Sequence, residues 1–295
     1  MKWKALVIGS VTIDEIDDRI RCGGPALYSS LAFWVLGWEP YIAGTIGEDF
    51  PVVFPFEGTF YRLEKTIRFQ HHYLDYGARI SRILYHPEKR IRVNVNPKEF
   101  DAIVINPVFD EFDHEWLETV LASAENVCID IQGFVRRKGN DNIVEMIDPP
   151  KHIIEKIINR ALVVKASNDD LRSKDAKYGK IFLLTLGRKG SITYWNNNEF
   201  YVPTIPVDVQ PTGAGDAFLA AFITCYIETR DIRYCSIRAN AVTSYLLEKR
   251  YLDFTGFCIG KEFVEKLHNK IEKTREQIEE RISIISDILS SFSNT

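Results

Sequence analysis

Short apolar runs recur along the chain with longer, helically spaced patterns between them. The segments Ala5–Gly9, Ile42–Ile46, Ala102–Ile105, Val127–Ile131, Leu162–Lys165 and Ile181–Leu186 are rich in Val and Ile and too short for helices, so they predict strands. Helical spacing covers Ala26–Leu36, His114–Ala124, Ile153–Asn159, Ala214–Glu228 and Ile232–Glu248. Strands alternating with helices in this way predict an α/β fold, a largely parallel central sheet flanked by helices. Arg68–Asp75 and Ile80–His86 alternate polar and apolar side chains around Tyr76-Gly77, which predicts an inserted hairpin over about 66–90, a small β lid. Beyond Gly260 the pattern changes. Val264, Leu267, Ile271, Ile278, Ile282, Ile285 and Leu289 fall near heptad spacing among Glu and Lys, predicting a long amphipathic helix. The chain thus divides into an α/β domain over 1–260 and a C-terminal helix over 261–295. The helix is expected to pack along its own domain, a homodimer contact being the alternative.

Composition narrows the chemistry. With 45% hydrophobic residues in 295, a sizeable core is available, and a formal net charge of -4 lacks the basic footprint of a nucleic-acid binder. Small-molecule chemistry is favoured. Cys22, Cys128, Cys225, Cys235 and Cys258 are odd in number, scattered and free of any C-x-x-C pair, which points to a reducing compartment and away from a metal cluster. The apolar run behind Lys2 and Lys4 is too short for a signal peptide, and the longest apolar run, Ala217–Ile227, is too short for a membrane span. A cytoplasmic protein without membrane partners is expected.

The most informative stretch is Pro211-Thr212-Gly213-Ala214-Gly215-Asp216-Ala217-Phe218, at the start of an apolar helix. Gly213 and Gly215 allow a tight turn that aims backbone N–H groups outward where the helix dipole favours negative charge. That is an anion cradle. A carboxylate at Asp216 is placed to take the proton from a hydroxyl attacking a phosphate, while the Gly213-Ala214-Gly215 amides stabilise the transferring oxygens. His71-His72 are adjacent on a predicted strand and face opposite sides, so they make no metal pair.

The T-G-A-G-D-x-F string resembles the signature of the PfkB (ribokinase-like) carbohydrate kinases. Gly23-Gly24-Pro25-Ala26-Leu27-Tyr28, followed by Ile46-Gly47-Glu48-Asp49-Phe50, resembles that family's N-terminal signature. The resemblance implies a ribokinase-like fold, an ATP-dependent kinase using Mg2+, and a substrate site at Asp14, Gly23 and Gly24. Thr185-Leu186-Gly187-Arg188-Lys189-Gly190 is similar to the family's T-L-G-x-x-G segment beside the ATP phosphates, without the G-K-[ST] of a Walker loop. Thr212 and Asn240 are implied on the same nucleotide side. Lys165-Ala166-Ser167-Asn168-Asp169-Asp170 resembles the N-x-x-E segment that organises magnesium, with Ser167 in place of Asn and Asp170 in place of Glu. Gln210 stands where many members carry an Asp that helps hold a monovalent cation, so little dependence on K+ is expected.

Among members, Tyr28, Asn106-Pro107-Val108 and the segment Asp130-Ile131-Gln132-Gly133-Phe134-Val135-Arg136 look most like archaeal myo-inositol kinases. Tyr28 replaces an amide with a flat phenol suited to a ring, and Asp130, Gln132 and Arg136 come just after a central strand where ligands of parallel sheets bind. The expected substrate is a small polyol or sugar, myo-inositol favoured. A nucleoside, ketose or 2-keto-3-deoxygluconate kinase is the alternative on the same fold. A non-catalytic sugar-binding regulatory paralogue is the alternative of another class. Such a paralogue would have lost the catalytic Asp or its glycines, and Gly213, Gly215 and Asp216 are all retained.

Overall fold

The computed structural model describes residues 2–16, 19–51, 56–73, 79–173, 177–254 and 271–292. The hairpin tip Tyr76-Gly77, Cys258, and Val264 and Leu267 of the amphipathic pattern lie outside them. In chain order the strands are β1 (Lys4–Ile8), β2 (Thr12–Ile16), β3 (Arg19–Gly23), β4 (Glu39–Gly47), β5 (Glu57–Leu63), β6 (Ile67–Tyr73), β7 (Arg79–Tyr85), β8 (Ala102–Ile105), β9 (Val127–Asp130), β10 (Arg136–Lys138), β11 (Val144–Met146), β12 (Val163–Ser167), β13 (Ile181–Thr185), β14 (Ser191–Trp195) and β15 (Asn198–Val202). The helices are α1 (Pro25–Val35), α2 (His114–Ser123), α3 (Lys151–Lys156), α4 (Ala214–Thr229), α5 (Ile232–Glu248) and α6 (Ile271–Phe292).

Nine strands form the central sheet in the order β15-β14-β13-β12-β9-β8-β1-β4-β5. From β13 to β5 every pairing is parallel, and the β14–β15 hairpin closes one edge antiparallel. The strands read as unbroken apolar runs because both faces are covered. Ala5, Val7, Val104 and Cys128 face α1, α4 and α5, while Leu6, Ile8, Ile105 and Ile129 face the layer containing α2. All the parallel strands run the same way, so their carboxyl ends share one rim of the sheet. Asp113 and Asp231 start α2 and α5 by accepting hydrogen bonds from Trp116 N and Tyr234 N.

The lid is larger than the predicted hairpin. β6 and β7 pair as expected, but β2 and β3 join them in a four-stranded sheet of order β3-β2-β6-β7. The stretch around Asp14, to which the sequence pattern assigns no element, is therefore a strand. Its buried positions include Thr12 and Asp14, so an alternation of apolar and polar residues is not visible there. The C-terminal helix lies along α5: Ile278, Ile282 and Ile285 are buried, Tyr245 Oη meets Thr274 Oγ1 at 3.0 Å, and Arg281 reaches Glu248. Among the described residues no helix is long and apolar enough to cross a membrane.

Candidate active site

The start of α4 is built by Gly213, whose φ of 79° lies in the left-handed region that glycine adopts without strain. The amide of Ala214 donates to Pro211 O at 3.0 Å and that of Ala217 to Gly213 O at 3.0 Å. The first of these bonds engages the Ala214 amide, one of the three expected to form the cradle, within the turn itself. Ala214 N–H closes the turn, and the amides of Gly215 and Asp216 are the ones that precede the helical ladder at the positive end of a 16-residue helix. Both glycines are also needed for close approach. A side chain at Gly213 would enter the Tyr28 ring, and a Cβ on Gly215 would come within 2.6 Å of Lys165 Nζ.

Asp216 occupies the first turn and is only 8% exposed. Its Oδ1 accepts a 2.6 Å hydrogen bond from Asn106 Nδ2, and Asn106 Oδ1 accepts in turn from Gln132 Nε2 at 2.7 Å. This second bond fixes the Asn106 amide so that its donor faces the carboxylate. Asp130 shapes the turn that carries Gln132, accepting from Gln132 N at 3.1 Å, and its other oxygen accepts from Lys165 Nζ at 2.7 Å. Asn106 follows β8, Asp130 ends β9 and Lys165 lies midway along β12, so three neighbouring strands bring these side chains to the start of α4. Asn106 and Lys165 carry no assigned role in the sequence, where Asp130 stands with Gln132 and Arg136 just after a central strand. The signal that would have found Asn106 is its position where a buried parallel strand ends, and for Lys165 it is a lone cation inside an apolar strand.

Burial pushes the Asp216 carboxyl up to about 7, and the Asp130 charge adds to the rise, against the pull of Lys165, Asn106 and Arg136. Burial also works against the Lys165 ammonium, but Asp130, Asp170 and Asp216 outweigh it and raise its pKa, so the lysine stays charged. A carboxyl poised near neutrality beside a fixed cation is suited to accept a proton. For stability the sign is the reverse of an ordinary ion-paired carboxylate. The protonated form is favoured by folding, so this contribution is fully present below the ordinary carboxylate range and is lost as the pH rises through about 7. For activity, kcat/KM is expected to rise along an acid limb with its midpoint near 7. Replacing Asn106 with Leu removes a bond that favours the ionised form and should move that limb to higher pH; an unmoved limb would separate Asn106 from the titrating group.

The expected substrate positions converge beneath the lid. A Cβ on Gly23 would stand 2.5 Å from Asp14 Oδ2, 2.9 Å from Thr12 Oγ1 and 3.0 Å from Tyr28 Oη. Gly24, at φ 95°, caps α1 with Pro25 at its first turn, and any side chain there would strike Ser10 O. Tyr28 stacks on Phe254 with ring centroids 5.4 Å apart and extends from Gly23 to Gly213, joining the lid to the start of α4. Half-buried Arg136 donates to Val108 O at 3.1 Å, and its charge reaches Asp216.

On the other side, Ser167 and Thr185 end the paired strands β12 and β13. Gly187, with φ 60°, has open space where a side chain would project, whereas a Cβ on Gly190 would collide with Val202 O, so Gly190 is required by the β14–β15 hairpin. Asn240 is buried, its Nδ2 donating to Ser191 Oγ at 2.8 Å and Ser236 O at 2.9 Å, and it fastens α5 to β14. Half-buried Thr212 leads into Gly213. Asp170 Oδ2 accepts from Ser167 N at 2.8 Å and Ser167 Oγ at 2.6 Å, and Oδ1 takes neither bond. Among the described residues no three ligand side chains converge as a metal cage. Two surface cavities of about 360 and 370 Å3 lie at the opposite rim, around Lys4, Tyr41 and Phe100 and around Trp3 and Arg230, and neither borders Asp216.

The sequence profile described as "pfkB family carbohydrate kinase" matches residues 96–255, more than half of the chain. The chain belongs to the pfkB family. The matched stretch of this pfkB protein contains Asn106, Asp130, Lys165 and Asp216, while Asp14 and the lid precede it. The chain is 28% identical over 160 residues to an inositol 3-kinase of Arabidopsis thaliana, covering 52% of this chain and 45% of that protein. It is 30% identical over 102 residues to a nucleoside kinase of Methanocaldococcus jannaschii, covering 34% of this chain and 32% of that one. The matches therefore span less than half the length of these curated relatives. In structure the pfkB chain resembles a pyrophosphate-dependent kinase in the ribokinase family, complexed with a pyrophosphate analog and myo-inositol. The TM-score is 0.67 and the identity 20%, over 83% of this chain and 94% of that one. The fold is that of ribokinase-family kinases.

Proposed function

We propose that this pfkB family member is an ATP-dependent phosphotransferase that phosphorylates an alcohol group of a small polyol or sugar, myo-inositol being favoured. The observation that carries the reading is a buried Asp216, raised to about 7, placed at the amide-rich start of α4 beside the charged Lys165. Asp216 takes the proton of the attacking alcohol as its oxygen closes on the terminal phosphorus of the donor. The amides of Gly215 and Asp216, with the Lys165 ammonium beside Gly215, stabilise the negative charge of the transferring group. Asn106 and Gln132 hold the base in orientation, and Asp14, Gly23, Gly24, Tyr28 and Arg136 enclose the acceptor. Ser167, Thr185, Gly187 and Thr212 face the donor, while Gly190 and Asn240 support that side from the scaffold.

Magnesium fits this donor set. It favours oxygen ligands and is held mainly by phosphates and water with one or two carboxylates, and Asp170 offers an oxygen outside the Ser167 bonds. When bound, Mg2+ neutralises charge on the donor phosphates. The inositol 3-kinase match and the myo-inositol complex of the structural neighbour support a cyclic polyol. The nucleoside kinase match keeps a nucleoside as the second acceptor class. Among the described residues Cys22, Cys128, Cys225 and Cys235 are free and buried, which supports a reducing, cytoplasmic setting.

The deciding experiment is a product assay with Mg2+ and either ATP or pyrophosphate against myo-inositol, hexoses, ketoses, 2-keto-3-deoxygluconate and nucleosides. A strong signal with ATP and myo-inositol is expected. Transfer only to nucleosides would replace the acceptor, transfer only from pyrophosphate would replace the donor, and none would remove the reading. Gln210 is exposed, and Asp208 is paired with Arg188 at 3.0 Å. Exchanging K+ for Na+ is therefore expected to change the rate little, and a several-fold stimulation by K+ would contradict this.

A further inference from the structure

One buried carboxylate has no part in the proposed transfer. Glu111 lies in the loop between β8 and α2 and is 2% exposed. Its oxygens accept from Val108 N at 3.1 and 3.0 Å and from Phe109 N at 2.9 Å, and the Ser10 hydroxyl and the Glu111 amide complete the shell. Ser10 Oγ in turn accepts from Thr45 Oγ1 at 2.9 Å, which ties the carboxylate to the ends of β1 and β4. Burial pushes the Glu111 carboxyl up, and these donors act against the rise. Burying a carboxylate is costly unless its lone pairs are met, and here they are met mainly by amides of its own loop.

The loop needs such a hold. Asp110 has a φ of 56°, the left-handed region that is costly for a residue with a side chain. Val108 stands at the centre of the loop: its N–H is bound by both Glu111 oxygens, and its carbonyl accepts from Arg136 Nη1 at 3.1 Å. One residue thus joins the buried carboxylate to a guanidinium of the acceptor side. The neighbouring Pro107 O lies against the turn that leads to Arg136, since a Cβ on Gly133 would stand 2.5 Å from it. Arg136 matters to the base as well. Burial and Asp130 raise the Asp216 carboxyl, while Lys165, Asn106 and Arg136 draw it down.

We infer that Glu111 is a positioning residue for the transfer site, which by holding the Val108 amide fixes the carbonyl on which Arg136 rests and so sets the distance of the guanidinium from Asp216. This rests on the proposed kinase function and adds to it a residue that touches neither acceptor nor donor.

The test first finds which of myo-inositol, ribose, fructose and adenosine the wild-type protein phosphorylates. It then measures kcat/KM against pH with that acceptor for Glu111→Gln, Arg136→Gln, the double variant and Ser10→Ala, with thermal denaturation alongside. Glu111→Gln puts an N–H against the loop amides in place of a lone pair. It is expected to lower kcat/KM by on the order of 10²-fold, the cost of a misplacement of roughly 1 Å, and to move the acid limb to higher pH as Arg136 withdraws. Loss of the Glu111 charge by itself acts in the opposite direction, so the sign separates displacement of Arg136 from a direct effect of charge. In the Arg136→Gln background, Glu111→Gln should cost far less than in wild type, because residues that act through one another are not additive. Ser10→Ala removes one donor to Glu111 and should move the limb the same way more weakly, which keeps the test open if Glu111→Gln does not fold. If the two single effects multiply to within about twofold in the double variant, the inference falls and the kinase reading stands. The same holds if the limb stays or falls in Glu111→Gln, or in Ser10→Ala where Glu111→Gln does not fold. If wild type phosphorylates none of the four acceptors, the kinase reading falls and takes the inference with it.

Discussion

Asp216→Asn is expected to lower turnover by roughly 10²–10⁴-fold, the usual worth of a general base, while leaving the fold and donor affinity nearly intact. The amide is isosteric, and the Asn106 contact to Oδ1 can be kept by an amide oxygen. What is lost is the capacity to take a proton. Because Asp216 is buried and raised to about 7, replacing it with a neutral group removes an unfavourable charge from the interior, so thermal stability at pH 8 should hold or rise. A variant with near-wild-type turnover would exclude Asp216 as the base. One that loses turnover only by unfolding would leave the base unidentified and contradict the neutral effect on the fold.

The second large effect is on Lys165→Met. Lys165 and Asp130 form an ion pair at 2.7 Å, with side chains 5% and 0% exposed. Removing the ammonium strands Asp130 in the core close to Asp170 and Asp216, and breaking a buried pair from one side costs about 3–5 kcal/mol. That is a large share of a typical domain's total stability. Restoring neutrality with a second change, Asp130→Asn, should recover much of the loss, since no carboxylate is then left without its cation at that position. Turnover should not recover with it. Lys165 Nζ stands where a Cβ on Gly215 would meet it, beside the amides proposed to receive the transferring phosphoryl group, and losing such a stabilising donor costs on the order of 10²-fold or more. Chemical denaturation of the single and double variants, with initial rates, separates the two roles. Full activity in the double variant would make Lys165 a prop for Asp130 and nothing more.

Much of the framework was legible because its determinants are local. The runs at β8 and α5 coincide with the predicted Ala102–Ile105 and Ile232–Glu248, since a short buried strand and a helix opened by Asp231 leave clear marks in sequence. The start of α4 was legible for the same reason: a left-handed turn needs Gly213, and the helix after it is mostly apolar. β2 and β3 were not, because the lid face they help to form is lined with Thr12, Asp14 and Arg21 and imitates a polar loop. Nor were the links among Asn106, Gln132, Asp130 and Lys165. Those side chains are up to 59 positions apart, as the numbering of Asn106 and Lys165 shows, and only the strand order brings them together. The pattern marks where a strand ends; it does not say which strand ends beside it. Ala214 shows the finer limit, since the Gly-Ala-Gly string announces an amide-rich turn but not which amide closes it.

The most direct measurement is a crystal structure with Mg2+, a non-transferable ATP analogue and the acceptor identified by the product assay. The account predicts one acceptor hydroxyl within hydrogen-bond reach of the Asp216 carboxylate and in line with the terminal phosphorus, with phosphate oxygens against the amides of Gly215 and Asp216. Terminal phosphates bound away from the start of α4, or an acceptor whose hydroxyls all lie beyond reach of Asp216, would contradict it.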